Sequence, residues 1–527
     1  MDIKIGKQEG GGNLGATRAT VWFWSAVITF VGVWALIPSI LHPAYKADVI
    51  ELQFIAKEWV WATVKHPMLS AWLLEIVNIL TGRAFAAPFI ASALCTIIIF
   101  FSVWQVAKNV LSERLALVAM FVMMPCFPLT LKFFLYNPNT VLMLFWALTT
   151  FTFYYAFQTN KKRWWIAAGL ALGLGFHAKY AIAILVPALL FYSLWFPKFR
   201  RYWRESGPWL TILTAFIVFL PHLIWLSQLP SYMATSGNVF SALGHNAAST
   251  QSRYLASGWL AHLTSPLLFA LAWVGLSIVS PILMLVPTLG WRWKWRTVEN
   301  ETEKETLNYL LCCIGIPFLI FILVSGAAAM VRTTYGFPLW FFLGTYLLLR
   351  FQHKDCSQSF IQTVKWTSFA VSVFVVVFII QSIYDPHITG KPGHINYPMH
   401  EIGAECDRIW YDRFDTPCLF VVSTDYALAG FAAYTMRDRP SVHSYDFRIG
   451  VGLVPMGTWS SDEDVNKKGG LILWNLSRSP EPPVPDWVHQ RFPRAEVLPE
   501  ILELPFKTSA NIPPLRIGIA VIPPPEG

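Results

Sequence analysis

The stretch Ala188–Leu220, ALLFYSLWFPKFRRYWRESGPWLTILTAFIVFL, decides how the chain must be read. It holds an apolar run, a basic turn with Lys198, Arg200, Arg201 and Arg204, and a second apolar run that continues to residue 228. Roughly 20 mostly apolar residues cross a bilayer, and in lipid the backbone polar groups must be satisfied within the segment, so each run is expected as a helix. Cations clustered between two runs mark a cytoplasmic turn. The same alternation extends in both directions. It gives eleven candidate spans at 21–41, 84–107, 113–130, 139–158, 164–178, 180–197, 208–228, 262–290, 307–325, 333–350 and 363–384. Segment 68–80 is apolar but too short to cross and is expected to dip or lie along the interface.

Composition agrees. Only 13% of the 527 residues are charged and 55% are apolar, against about 25% charged in soluble globular proteins. The net charge of +9 resembles a nucleic-acid footprint in size alone. Its cations sit in short clusters between apolar runs, as in Trp291-Arg292-Trp293-Lys294-Trp295-Arg296, so no nucleic-acid partner is expected. Loops on the N-terminal side of the spans hold 19 Lys and Arg, and those opposite hold eight before the tail. The N-terminus, 1–20, is therefore expected in the cytoplasm, and an odd number of spans puts the tail outside. The first run is longer than a signal-peptide core and is expected to stay as an anchor.

From Asp385 onward the composition is that of a small soluble domain. Strands are expected at Cys418–Ser423, Leu471–Trp474 and Ile517–Ile522, with a helix at Tyr426–Tyr434. The fold class is thus an all-α polytopic membrane protein of about 11 transmembrane helices, at 21–384, with a C-terminal α/β extracytoplasmic domain at 385–527. Cys406 and Cys418 share that domain, where a disulfide and two free thiols are both open readings. The seven cysteines show no metal-binding spacing.

The loop 42–83 carries the densest polar set before the tail. Asp48 and Glu51, three apart, share a face of a helix expected to run to Val64, and Leu52, Ile55 and Trp59 face the membrane or bundle. A solvated interface helix whose acids do no chemistry is the bland alternative. Asn137-Pro138-Asn139 opens the fourth span from the same side, Lys179-Tyr180 sits at a turn there, Pro221-His222 closes the seventh span, and Arg332 with Tyr335 begins the tenth. A charge in apolar surroundings costs roughly 2.5–3.5 kcal/mol on insertion scales, so Lys179 and Arg332 need a partner or a purpose. Snorkelling is one answer for Lys179. A phosphate anion held by the two cations beside a general base is another.

These residues resemble a known superfamily, the GT-C-fold lipid-linked-sugar glycosyltransferases, which includes dolichyl-phosphate-mannose protein mannosyltransferases, aminoarabinose transferases and lipopolysaccharide-core galacturonosyltransferases. Asp48 precedes His66-Pro67-Met68 by 18 positions, as an acid precedes His-Pro-Pro in that family. Asn137-Pro138-Asn139-Thr140, Gly169 to Tyr180, Pro221 to Leu226, Arg332 to Trp340 and Tyr426 to Pro440 are similar to further signatures, in order along the chain. Two positions depart: Val49 stands for the second acid of Asp-Glu, and Met68 for the second Pro.

The resemblance implies an inverting transfer of a sugar from a polyprenyl-phosphate carrier to an outer-leaflet lipid, lipopolysaccharide or glycan. Asp48 would be the base, and Glu51 and His66 would join it in the catalytic loop. Lys179, Arg332 and Tyr180 would bind the donor phosphate. Asn137, Asn139, His222 and Tyr335 would line the cavity. The resemblance fixes no cofactor, and a divalent metal ion is compatible with it. Expected partners are the lipid-linked donor, the acceptor and membrane lipids, at a bacterial inner membrane. Transfer to protein Ser or Thr is the rival within the enzyme class, and a lipid or sugar flippase the rival outside it. Transporters often show inverted repeats, and none is evident here.

Overall fold

The computed structural model describes residues 15–63, 66–228, 259–328, 333–446, 454–477 and 484–525. The helical part begins with α1 (Ala16–Leu41), then two short helices of the loop 42–83, α2 (Ala47–Ala56) and α3 (Leu69–Leu80). It continues through α4 (Ala87–Lys108), α5 (Glu113–Phe121), α6 (Pro138–Thr159), α7 (Lys162–Ala178), α8 (Val186–Trp195), α9 (Pro197–Arg200) and α10 (Ser206–Ser227). Then come α11 (Leu260–Trp273), α12 (Val279–Leu289), α13 (Glu301–Ala327), α14 (Leu343–Arg350) and the 33-residue α15 (Ser357–Thr389). Each expected span falls on one of these helices or on a short run of them.

Six helices (α1, α4, α6, α10, α13 and α15) are long and apolar enough to cross a membrane by themselves, among the described residues. Of the other spans, 164–178 is one continuous 17-residue helix, α7, and the remaining four are broken. Residues 113–130 form a helix only as far as Phe121, because Pro125 and Pro128 follow and each lacks the N–H a continuing helix needs. Residues 262–290 are α11 and α12 joined by a five-residue π-helical turn, Val274–Ile278. Residues 180–197 start as a 3₁₀ helix, Tyr180–Leu185, and 333–350 start as another, Thr333–Trp340. The expected helix from Asp48 to Val64 is also shorter: it stops at Ala56, and Trp59, half exposed at 48%, adopts a left-handed φ of 50°. Leu52 and Ile55 are buried as expected.

Close helix contact is built on small residues. Gly169 and Gly173, one turn apart on α7, lie against α10, where an added Cβ would come within 2.6 Å of the Thr211 carbonyl oxygen and 2.8 Å of Val218 Cβ. Small-xxx-small faces bring membrane helices together in this way. Thr211 Oγ1 donates to the Trp165 carbonyl at 2.7 Å across the same contact. At the opposite end of the bundle the two basic loops pair: Arg296 N–H donates to Arg350 O at 3.0 Å, and Gln352 N–H to Lys294 O at 2.8 Å.

The tail forms a six-stranded sheet of β1 (Phe420–Ser423), β2 (Ser441–Asp446), β3 (Val454–Pro455), β4 (Gly470–Asn475), β5 (Glu496–Leu504) and β6 (Leu515–Ile522) in the order β3-β2-β1-β4-β6-β5. β2, β1 and β4 are parallel, and the remaining strands are antiparallel additions. α16 (Met399–Tyr411), α17 (Tyr426–Thr435), α18 (Asp462–Lys468) and α19 (Asp486–Arg491) complete the domain. Cys406 and Cys418 are both buried, free thiols.

The tail domain grips α2. Gly430 of α17 lies so close that a Cβ there would sit 2.9 Å from both Ile50 Cγ1 and Phe54 Cδ1. Lys57 Nζ donates to the Arg439 carbonyl, and Ser441 Oγ to Glu58 Oε1 at 2.8 Å. The Tyr45 and Tyr434 hydroxyls stand 3.3 Å apart. The helix that carries Asp48 is thus held along its length by the C-terminal domain.

Candidate active site

The site is organised at the N-terminus of α6. Asn137 is its N-cap: its Oδ1 accepts from Asn139 N–H at 2.9 Å, while the Thr140 hydroxyl takes up Asn137 N–H at 3.3 Å. Pro138 at the first helical position loses no bond, since that N–H has no intrahelical partner anyway. The sequence Asn-Pro-Asn-Thr therefore writes a fixed helix start, and both asparagine side chains are left aimed from it.

Each asparagine holds one ionic group. Asn137 Nδ2 donates to Asp48 Oδ2 at 3.2 Å. Lys179 Nζ donates to Asn139 Oδ1 at 2.7 Å. Residues 48, 137, 139 and 179 are thereby joined in one hydrogen-bonded path, drawn from the loop 42–83, the start of α6 and the end of α7. Asp48 is exposed, in the first turn of α2, where a carboxylate is favoured by the helix dipole. Lys179 is only 7% exposed, in an extended conformation that ends α7. The glycine contacts of α7 with α10 fix where that lysine emerges.

Beyond Lys179, Tyr180 and His222 form a pair, the phenol oxygen 2.6 Å from His222 Nε2. His222 is fully buried and stacks on Trp225. Glu51 lies one turn beyond Asp48 on α2, half-buried. His66 lies beside the antiparallel bridge of Ala62 with Pro67, where Thr63 N–H donates to the His66 carbonyl at 3.0 Å, and Met68 N–H to the Trp61 carbonyl at 3.1 Å. Tyr335 lies in the 3₁₀ helix Thr333–Trp340, which packs on α6. Arg332 lies outside the described residues.

Two contributors escaped the reading of the sequence. His177, buried, places its Nε2 2.9 Å from the Val218 carbonyl and its ring 5.5 Å from that of His222, beside the Trp61–Trp72 pair at 6.1 and 6.2 Å. Its position two residues before Lys179 was the available signal. Lys46, at the start of α2, is held below its ordinary lysine value by burial, with Lys132 pushing the same way and Asp385 and Asp48 opposing. Among the described residues no group of three or more His, Cys, Asp or Glu comes together to hold a metal ion.

A bundle of long apolar helices backed by a C-terminal sheet domain gives the chain the architecture of a multi-pass membrane protein of the GT-C fold. The comparisons with known proteins carry that assignment. Residues 65–225 match the family model of dolichyl-phosphate-mannose-protein mannosyltransferases, a segment that contains His66, Asn137, Asn139, Lys179 and His222 but begins after Asp48. The chain is similar to ArnT from Cupriavidus metallidurans, solved bound to undecaprenyl phosphate, with a TM-score of 0.54 and 12% identity over 97% of this chain and 99% of that one. It is 24% identical over 351 residues to an undecaprenyl phosphate-alpha-4-amino-4-deoxy-L-arabinose arabinosyl transferase of Pseudomonas fluorescens, covering 62% of this chain and 60% of that protein. It is 27% identical over 215 residues to the lipopolysaccharide core galacturonosyltransferase RgtB of Rhizobium johnstonii, covering 38% and 39%. The matches thus span between about two fifths and three fifths of these two relatives.

Proposed function

We propose that the protein is an inverting glycosyltransferase that moves a sugar from a polyprenyl-phosphate carrier to an acceptor on an outer-leaflet lipid, lipopolysaccharide or glycan. One observation carries the reading: Asp48 and Lys179, 131 positions apart in sequence, share a single hydrogen-bonded path through the cap of α6. Opposite charges at this spacing suit a displacement in which one end of the reacting bond gains a nucleophile and the other sheds an anion.

In that step the acceptor hydroxyl attacks the anomeric carbon as Asp48 takes its proton. The bond from that carbon to the carrier phosphate breaks, and the electron pair leaves with the polyprenyl phosphate. Lys179, with Arg332, meets the charge that develops there, and a cation placed for the transition state lowers the barrier directly. Asn137 aims the Asp48 carboxylate and Asn139 aims the Lys179 ammonium. Tyr180 and His222 would line the donor side, and Glu51 and His66 the acceptor side. The relatives named above are aminoarabinose and galacturonosyl transferases, which favours a lipid or lipopolysaccharide acceptor over protein Ser or Thr. The charge bias of the loops supports a cytoplasmic N-terminus and a tail domain on the far face, beside the site.

The test is Asp48→Asn, which keeps the side-chain shape and removes the base. We expect transfer from a polyprenyl-phosphate sugar, followed by mass spectrometry of envelope lipids, to fall by at least 100-fold in protein that inserts normally. Full activity in this variant would exclude Asp48 as base.

A further inference from the structure

The face of α2 opposite Asp48 carries a second polar cluster that the transfer step does not use. Glu75 of α3, 2% exposed, accepts from Arg83 Nη2 at 2.7 Å and from Asn78 Nδ2 at 3.1 Å, and Asn78 Nδ2 also donates to Gln53 Oε1 at 2.8 Å. Gln53 Nε2 and Asn78 Oδ1 are buried in the same cluster without a partner. Lys57 lies 3.5 Å from Glu58 and donates to the Arg439 carbonyl. Three cations, Lys57, Arg83 and Arg439, thus face two carboxylates, Glu58 and Glu75.

Arg439 is the member without an ion pair among the described residues. It is partly buried, and its guanidinium lies 5.2 Å from the ring of Tyr434. Burial and the neighbouring Arg83 hold it below the ordinary arginine value, with Tyr434, Glu75 and Tyr45 acting in the other direction. Arg83 and Arg439 both sit on left-handed backbone, at φ of 63° and 50°, a conformation costing of order 1 kcal/mol that persists only when the surroundings impose it. The carboxylate that acts on Arg439, Glu75, is already paired with Arg83 at 2.7 Å, and a phosphate accepts bidentate bonds from a guanidinium left partly buried in this way.

Beside the cations lies an apolar edge. Ile76, Ile79 and Leu80 of α3 are 45%, 59% and 78% exposed, and the chain reaches Arg83 three residues later, just before α4 enters its span. Charge above an exposed apolar strip is the pattern of a lipid: headgroup at the interface, chains below.

We propose that Lys57, Arg83 and Arg439, above the Ile76–Ile79–Leu80 edge, bind the phosphate headgroup of a membrane lipid in the leaflet that the outer loop faces. The bound headgroup would tie the outer loop to the tail domain, since Lys57 and Arg83 come from the first and Arg439 from the second. The site is separate from the transfer site, and binding to it is measured without turnover.

The experiment uses the full chain in nanodiscs of neutral phosphatidylcholine carrying spin-labelled phosphatidic acid or spin-labelled diacylglycerol, which lacks the phosphate. We expect the protein to immobilise phosphatidic acid several-fold more than diacylglycerol, and Arg439→Gln to remove most of that preference. Lys57→Met is the second variant, with the same expected direction, should Arg439→Gln fail to fold. Equal immobilisation of the two lipids by the unaltered protein overturns the proposal, as does a preference untouched in a folded variant. Saturable binding of inorganic phosphate with no lipid preference would mark a free-anion site instead, and would equally overturn it.

Discussion

Gly430 is where the tail domain's hold on α2 can be measured. Carbon atoms rest about 3.5–4.0 Å apart, and a Cβ at residue 430 would sit 2.9 Å from Ile50 Cγ1 and from Phe54 Cδ1. Gly430→Ala therefore requires α2 or those side chains to give by about 0.6–1.1 Å. Gly430→Leu adds three more carbons in the same direction and cannot be absorbed by side chains alone. Overpacking of this kind costs roughly 1–3 kcal/mol. The displaced helix carries Asp48 two residues before Ile50, and a misplacement of about 1 Å at a reacting group can cost on the order of 100-fold in rate. The expected result is graded: a few-fold loss of kcat for Ala and tenfold or more for Leu. The KM for the lipid-linked donor should move little, because Lys179 stands on α7. The assay is steady-state sugar transfer in proteoliposomes, with thermal unfolding followed in parallel to confirm a folded protein. A folded Gly430→Leu variant with kcat within twofold of the parent would refute the idea that the tail domain positions Asp48.

Further tests address the cap of α6 and the core of the tail domain. Asn139→Asp keeps the shape of the side chain but sets a carboxylate 2.7 Å from Lys179, where it competes with the donor phosphate; we expect the donor KM to rise about tenfold, and an unchanged KM would remove Lys179 from the phosphate site. In the tail, Asp462 accepts from His443, Tyr445 and Arg491 at 2.8, 2.7 and 2.8 Å. Burial works against its ionisation, but bonds from His443 and Tyr445 and the charge of Arg491 outweigh it and hold the carboxyl at about 2. Since the folded value lies below the unfolded one of about 3.9, the contribution is complete above pH 4 and is lost as pH falls toward 2. Screening at this partly exposed group leaves on the order of 1–2 kcal/mol. Hydrogen exchange across 441–446 in the full chain should accelerate in that window, and Asp462→Asn should flatten the dependence; a flat profile in the parent would contradict the assignment.

Much of the architecture was legible because membrane spans declare themselves by length and apolarity, which need no knowledge of packing. The interruptions were harder. Pro125 and Pro128 end α5 early, yet their flanks stay apolar, so hydropathy carried a span through to residue 130. In the tail, the apolar strands β1, β4 and β6 read directly, whereas β2 (SVHSYD) mixes in polar side chains, two of which find partners only in the fold: His443 meets Ser460 and Asp462, and Ser441 meets Glu58. β5 contains Pro499, and its pairing with β6 slips between Val497 and Ile501, the irregularity expected where proline interrupts a strand. For the site, Asp48, Asn137, Asn139 and Lys179 were legible as polar residues on one side of the bundle. What the sequence could not convey was the order in which they join, since that depends on how α2, α6 and α7 meet.

That order has a chemical consequence. Were the carboxylate and the ammonium in direct contact, each would spend its charge on the other, and a close pair of that kind gives up much of its pull on a substrate. The cap of α6 places two amides between them. An amide both donates and accepts, so Asn137 offers its N–H to the anion while Asn139 offers its carbonyl to the cation, and neither ionic group is neutralised by these contacts. Because Asn137 also receives the N–H of Asn139, the two amides are locked to one backbone turn and move as a unit. Pro138 between them stiffens that turn further by fixing φ. The motif Asn-Pro-Asn-Thr thus acts as a rigid spacer that holds the Asp48 carboxylate and the Lys179 ammonium at a set separation, and a fixed separation of that kind is what the proposed in-line displacement would need.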